Sequence, residues 1–297
     1  MKTPPYLTPG SLVYITAPAK AIEASSIRKT QEILESWGLA VRLSTHCLGQ
    51  HHYFSGTDEE RTQDFQWGLD APDVHAILCA RGGYGCVRIV EELSWNMFQS
   101  NPKWIVGFSD VTVFHHKVHQ LGLQSIHGIM PLGFVTGTHA SRETLKKALF
   151  GLPYRLEGPA HPKNIPGEVE GLLIGGNMTL VYSMLGTPLR YDFKDKILLL
   201  EDIGEHLYKI DRMLYSLQLA GVLSSIKGLI LGGFTEMEDT DIPFGKSIEA
   251  LIYERVKSCN IPVAFGLPFG HVSDNQGLVL GKPVKLQVTN QGSTLLI

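Results

Sequence analysis

Ser109 stands in a sequence pattern that would let its hydroxyl act as a nucleophile. Residues 104–110, WIVGFSD, are typical of a short buried strand, a Gly-x-Ser turn and the start of a helix. Such a turn presents the hydroxyl at the carboxyl end of a sheet, beside helix amides that stabilise developing negative charge. However, Val111 stands where a nucleophile elbow usually has a second glycine, and a serine here is also a common helix N-cap. The pattern alone leaves both interpretations open.

A nucleophilic serine needs a general base and an acid that orients that base. Among twelve histidines, His271 differs because it follows Leu267-Pro-Phe-Gly270, a loop whose proline and glycine favour a rigidly held side chain. Glu201 follows the apolar segment 196–200, so we expect it at a strand end with Asp202 beside it. Loop histidines are more often incidental, and a carboxylate here could instead cap the next helix. These residues are therefore candidates only.

A glycine-rich turn, Ala80-Arg81-Gly82-Gly83-Tyr84-Gly85, follows a predicted buried strand. Its glycines permit positive φ angles and let a ligand approach the backbone amides closely. The turn would suit an oxyanion-hole donor or a phosphate cradle. It does not match G-x-G-x-x-G, which argues against a dinucleotide site. A non-catalytic nucleotide-binding protein that uses Gly82 to Gly85 is the alternative of a different class.

The elements that would position these residues alternate between strand and helix in the first half of the chain. The sequence predicts strands at 11–16, 74–80 and 104–107, and helices at 25–37 and after the Thr57/Glu60 capping box. This order favours an α/β fold with a parallel sheet. Residues 151–167 carry four prolines and three glycines and are interpreted as a linker. We expect an N-terminal lobe over 1–150 and a mixed, β-rich C-terminal lobe over 168–297.

Composition narrows the class of protein. The chain has 297 residues, 43% hydrophobic, with a formal charge of −3, so it offers no field for holding nucleic acid. Four cysteines without CxxC spacing argue against a zinc ribbon or a disulfide framework. No apolar segment predicts a signal peptide or a membrane span, so we expect a cytoplasmic protein without a membrane partner.

Taken in order along nearly the whole chain, these blocks resemble the LD-carboxypeptidases, a family that includes the microcin-resistance hydrolases. The matching blocks are Ala17-Pro18, Phe54-Ser-Gly-Thr-Asp58-Glu-Glu-Arg61, Ala80 to Gly85, Gly107-Phe108-Ser109-Asp110, His127-Gly128, Gly175-Gly176-Asn177, Leu200-Glu201-Asp202, Tyr208, Asp211-Arg212 and Gly270-His271. The resemblance implies two lobes with the active site between them and a homodimer.

The resemblance also implies that Ser109 is the nucleophile, His271 the base and Glu201 the residue that orients His271. The amides of Asp110 and Gly83 would form the oxyanion hole. Arg81 is the candidate partner for the terminal carboxylate of the substrate. The implied reaction removes D-alanine from a murein tetrapeptide, or its sugar-linked forms, at an L,D bond, with no metal or other cofactor. A microcin-resistance hydrolase of peptidyl or aminoacyl nucleotides is the alternative within the same chemistry.

Overall fold

The computed structural model describes all 297 residues, which form two compact units. The first unit is Met1–Leu152 with Ser273–Leu280, and the second is Pro153–Val272 with Gly281–Ile297. The chain therefore passes between the units at 152/153, 272/273 and 280/281, whereas the sequence predicted one linker at 151–167. Part of that segment forms a strand of the second unit.

The first unit is built on a six-stranded sheet in the order β11-β5-β4-β3-β1-β2. Its strands are β1 (Leu12–Thr16), β2 (Ala40–Leu43), β3 (Val74–Cys79), β4 (Trp104–Gly107), β5 (Ser125–His127) and β11 (Leu278–Leu280). All pairs are parallel except β11 with β5. The α/β fold with a mostly parallel sheet in this part is confirmed.

The helices of the first unit follow the predicted alternation. They are α1 (Ala24–Ser36), α2 (Asp58–Asp70), α3 (Cys86–Ile89), α4 (Asn96–Ser100), α5 (Thr112–Gln120), α6 (Pro131–Thr136) and α7 (His139–Phe150). Thr57 and Glu60 form the expected capping box at the start of α2. A 3₁₀ turn, Ser109–Val111, precedes α5. All four residues of β4 are buried, so the turn follows a strand that is held in the core.

The second unit contains a seven-stranded sheet in the order β10-β9-β8-β7-β12-β13-β6. Its strands are β6 (Arg155–Gly158), β7 (Gly167–Asn177), β8 (Lys196–Ile203), β9 (Gly228–Thr235), β10 (Val263–Phe265), β12 (Pro283–Thr289) and β13 (Gly292–Leu296). The four strands from β10 to β7 are parallel, and the rest are antiparallel. The mixed sheet predicted for this half is confirmed, and β6 lies inside the predicted linker.

Four helices complete the second unit: α8 (Met178–Met184), α9 (Leu207–Leu219), α10 (Val222–Ser225) and α11 (Ile248–Val256). Their apolar residues pack with those of the parallel strands in one buried cluster. No helix of the chain combines the length and the apolar character needed to cross a bilayer.

Candidate active site

Ser109 occupies a strained turn directly after β4. Its φ is +63°, in the left-handed region that residues other than glycine rarely adopt. The turn is tight because Gly107 has no side chain: a Cβ there would lie 2.9 Å from both γ-carbons of Val111. A single glycine, Gly107, is thus enough to permit this tight turn, and Val111 stands in the place of the second glycine of the usual motif. Strain of this kind persists only where the surroundings enforce it and is concentrated at functional sites.

His115 fixes the end of β4 from the helix that follows. Its Nε2–H donates to the carbonyl of Gly107 (2.9 Å), so its Nδ1 accepts from the hydroxyl of Ser125 (2.9 Å). Burial lowers the pKa of His115 to about 4, which keeps the ring neutral. His115 is therefore a supporting residue of the serine turn.

The glycine-rich turn lies against Ser109. A Cβ on Gly82 would be 3.2 Å from the Ser109 hydroxyl oxygen and 3.3 Å from the Asp110 amide nitrogen. Gly83, with φ +97°, follows directly but lies against Tyr53 and Lys20. Of the proposed oxyanion donors, the Asp110 amide is thus beside both the serine and the turn. The Gly83 amide belongs to the same turn, one residue away from the contact.

Two buried charged side chains hold this turn in place. The Asp110 carboxylate accepts from the Cys86 amide (2.8 Å), which ties the serine turn to the start of α3; burial raises the pKa of Asp110. Arg61 donates to the carbonyls of Pro18 and Gly85 (3.1 Å for Gly85) and pairs with Asp58. Sequence reasoning missed the role of Arg61, because a charged residue in an acidic helix normally predicts a solvated face.

Arg81, expected to meet the substrate, is half-buried and donates from Nη1 to the carbonyl of Ala21 (3.0 Å). Part of its guanidinium is therefore occupied by the loop after β1. The other candidate side chains of the predicted site belong to the second unit.

In the second unit, Glu201 and His271 form a close pair. His271 donates from Nδ1 (2.6 Å) and from its backbone amide (3.2 Å) to Oε2 of Glu201. Glu201 is completely buried, while the His271 side chain keeps 17% exposure. The strand β8 continues to Ile203, so Glu201 lies within the strand and not at its end as expected. Because Nδ1 carries the proton toward the carboxylate, Nε2 is the nitrogen left to act as a base.

Gly270 makes the short distance between this pair possible. Its φ is +91°, and a Cβ there would lie 2.6 Å from the Glu201 Cβ and 2.7 Å from Oε2. No residue with a side chain fits this position without moving the carboxylate. Glycine at 270 is thus a requirement of the pair.

The pKa of His271 is raised above its ordinary value by competing causes. Burial alone lowers it, but the hydrogen bond and the charge of Glu201, helped by Asp202 and Glu236, outweigh burial. The buried carboxylate therefore stabilises the protonated imidazole, as an orienting acid does.

Asp202 serves the fold of the second unit. Its carboxylate accepts from the Thr179 amide (2.9 Å) and hydroxyl (2.8 Å), from the Asn177 side chain (2.9 Å) and from its own neighbour, the Ile203 amide (2.9 Å). Burial, then the charge of Glu201, raises the pKa of Asp202. Asp202 thus fixes the first turn of α8, and Glu201 is the carboxylate of the two that contacts the histidine.

Residues 232–235 support the histidine loop and were not singled out from the sequence. A Cβ on Gly232 would lie 2.6 Å from the Phe269 carbonyl, and the Gly233 amide donates to that carbonyl (3.0 Å). The Thr235 hydroxyl donates to the carbonyl of His271 (3.1 Å). Adjacent glycines inside β9 were the available signal. No group of three or more His, Cys, Asp or Glu side chains is placed to hold a metal ion.

Comparison with known proteins places these features in a family. Residues 13–128 match the LD-carboxypeptidase N-terminal domain, and residues 170–286 match the LD-carboxypeptidase C-terminal domain. A murein tetrapeptide carboxypeptidase of Pseudomonas aeruginosa is 32% identical over 287 residues, 93% of this chain and 92% of the relative.

Two solved structures share the fold. A muramoyltetrapeptide carboxypeptidase from Oxalobacter formigenes is 31% identical, with a TM-score of 0.88 over 96% of this chain and 98% of the other. The microcin C7 self-immunity protein has a TM-score of 0.86 at 20% identity, over 99% of this chain and 98% of the other, a likeness of fold alone. The domain matches and the full-length relatives together show that the chain belongs to the LD-carboxypeptidase family of serine-type peptidases.

Proposed function

We propose that this protein removes the terminal D-alanine from murein tetrapeptide, with Ser109, His271 and Glu201 as its catalytic triad. The observation that carries the proposal is the 2.6 Å bond between His271 Nδ1 and the buried Glu201 carboxylate. It gives the imidazole the tautomer and the electrostatic support that a general base needs. The substrate is inferred from the full-length relatives that bear this activity in their names.

In the proposed reaction, the Ser109 oxygen attacks the scissile carbonyl while Nε2 of His271 takes its proton. The oxyanion is held by the amides of Asp110 and Gly83, which belong to the two turns in contact at Gly82. Collapse of the tetrahedral intermediate breaks the C–N bond, and D-alanine leaves with the proton from His271. Water, activated by the same imidazole, then hydrolyses the acyl-enzyme and regenerates Ser109. Arg81 is a further proposed contact of the substrate.

The proposal also covers the oligomeric state of the enzyme and the compartment in which it works. On the family resemblance, we propose a homodimer that works in the cytoplasm, where murein fragments are recycled. Light scattering of the purified protein, and cell fractionation, test these two points separately from the chemistry.

Product analysis tests the proposed activity. The protein is incubated separately with a murein tetrapeptide, with the pentapeptide that ends in D-Ala-D-Ala, and with a peptidyl adenylate. The products are identified by mass spectrometry. We expect release of D-alanine from the tetrapeptide alone. The Ser109→Ala variant should lose about 10⁴ to 10⁶ of the rate while its melting temperature stays near that of the wild type. Equal release from tetrapeptide and pentapeptide, or turnover of the adenylate alone, would contradict the proposal.

A further inference from the structure

Lys20 lies beside the glycine-rich turn that contacts Ser109. Its backbone amide donates to the carbonyl of Gly82 (3.2 Å), and its Cβ and Cδ would lie 3.1 and 3.5 Å from a Cβ on Gly83. A Cβ on Gly82 would lie 3.2 Å from the Ser109 hydroxyl oxygen. Lys20 and Ser109 therefore both lie beside the backbone of Gly82 and Gly83.

The side chain of Lys20 is directed over an aromatic ring. Its Nζ lies 5.0 Å from the centroid of Tyr53, a cation–π distance. Tyr53 is 42% exposed, and its hydroxyl would be 2.6 Å from a Cβ on Gly83. The ammonium and the phenol therefore lie on the same side of the turn. The ring limits the freedom of the lysine, so that less conformational entropy is lost when an anion binds.

The other cations around the turn already have partners. Arg61 and Arg88 both pair with Asp58, and Arg81 donates from Nη1 to the Ala21 carbonyl. Lys20 makes no ion pair, and its Nζ donates no hydrogen bond within the chain. An ammonium has three donors, so all three are available to a ligand.

We infer that Lys20 and Tyr53 form the subsite that binds the free C-terminal carboxylate of the substrate; this rests on the proposed carboxypeptidase function. The ammonium neutralises the carboxylate, and the Tyr53 hydroxyl donates a hydrogen bond to it. Arg81 positions this subsite through the Ala21 carbonyl, next in sequence to Lys20. A substrate extended by one residue would place a neutral peptide group there and leave the ammonium without its anion.

A comparison of two substrates in variants tests the inference. Each protein is assayed on the tetrapeptide acid and on the same peptide ending in D-alaninamide. We expect Lys20→Met to lower kcat/KM for the acid by about 10- to 100-fold and for the amide by less than about threefold, since one charge-assisted contact is lost. Tyr53→Phe should lower it for the acid by about three- to tenfold. Lys163→Met is the matched control, because Lys163 is also half-buried and lies 5.4 Å over Tyr253 in the second unit.

The outcomes separate the inference from the function on which it rests. If the wild type releases D-alanine but Lys20→Met loses activity equally on acid and amide, or loses none, the inference fails and the proposed function stands. A selective loss in Arg81→Met, with Lys20→Met unaffected, would assign the carboxylate to Arg81. If the wild type releases no D-alanine from the tetrapeptide, both fail together.

Discussion

Replacing Glu201 by glutamine changes one charge at the centre of the proposed triad. In the native pair, Oε2 accepts two bonds from His271, and Oε1 is buried without a hydrogen-bond partner. Glutamine fits best with its oxygen toward His271, which preserves the imidazole tautomer. Its amide nitrogen then lies in the buried place of Oε1 with no acceptor, which costs about 1 to 3 kcal/mol of stability.

The loss of charge should affect the rate and its pH dependence. The carboxylate no longer stabilises the imidazolium that forms in the transition state, so we expect kcat/KM at the pH plateau to fall by about 10² to 10⁴. In the wild type the pKa of His271 is raised, because Glu201 outweighs the effect of burial. Without that charge, only Asp202 and Glu236 oppose the effect of burial, so the pKa of His271 should be lower than in the wild type. Since the base acts in its neutral form, the acid limb of the profile should move to lower pH.

The assay is the pH profile of kcat/KM for D-alanine release, with thermal unfolding measured in parallel. Asp202→Asn is the matched control, because it removes the adjacent buried carboxylate, which binds Thr179 and Asn177 instead of a histidine. We expect it to lower stability by about 1 to 3 kcal/mol and to keep activity within tenfold. If folded Asp202→Asn is crippled while Glu201→Gln is mild, or if the acid limb of Glu201→Gln moves to higher pH, the assignment is refuted.

Two further perturbations follow from the packing. Gly270→Ala should lower kcat/KM by at least about 10² and the unfolding free energy by about 2 to 4 kcal/mol, since its Cβ overlaps Glu201 at positive φ; Gly10→Ala, with φ +87° and no atom within 4 Å, should lose only about 1 to 2 kcal/mol and no activity. Equal effects of the two substitutions would show that Gly270 has no special role in the proposed site. The pKa of His115 is about 4 when folded and about 6.5 when unfolded, so the unfolded chain binds the proton first and stability should fall by about 3 kcal/mol between pH 6.5 and 4. Urea titrations of His115→Gln should show a smaller fall over that range, and an identical fall would contradict this cause.

Much of the fold could be predicted from local patterns. Buried apolar segments flanked by turn residues correctly indicated β1, β3 and β4, and the Thr57/Glu60 box correctly indicated the start of α2. The return of Leu278–Leu280 to the first unit was not foreseen. Those three residues pair with β5, about 150 positions earlier in the chain, and a three-residue apolar segment does not specify its partner. Pairing between distant segments depends on tertiary packing.

The same holds for the site residues: local motifs pointed to some of them, whereas the roles of others depend on partners distant in sequence. The spacing of Ser109 after a short strand was visible because a turn motif is local. The role of Arg61 was not, since its partners Pro18 and Gly85 lie far from it in sequence and only the folded structure shows its burial. The expectation that Glu201 lies at a strand end was wrong, because the apolar run stops at Leu200 whereas hydrogen-bonded pairing continues to Ile203.

Two of the three proposed catalytic residues, Ser109 and Glu201, are each followed by a buried aspartate with a different task. In β8, successive side chains point to opposite faces, so Glu201 reaches His271 while Asp202 reaches the Thr179 amide at the start of α8. After β4, the carboxylate following Ser109 likewise binds a helix amide, that of Cys86. The acid next to the reactive group thus anchors a neighbouring helix and limits movement of the backbone beside it. For this reason a one-residue shift in the register of β8 would exchange the positions of Glu201 and Asp202, so neither carboxylate can take over the role of the other.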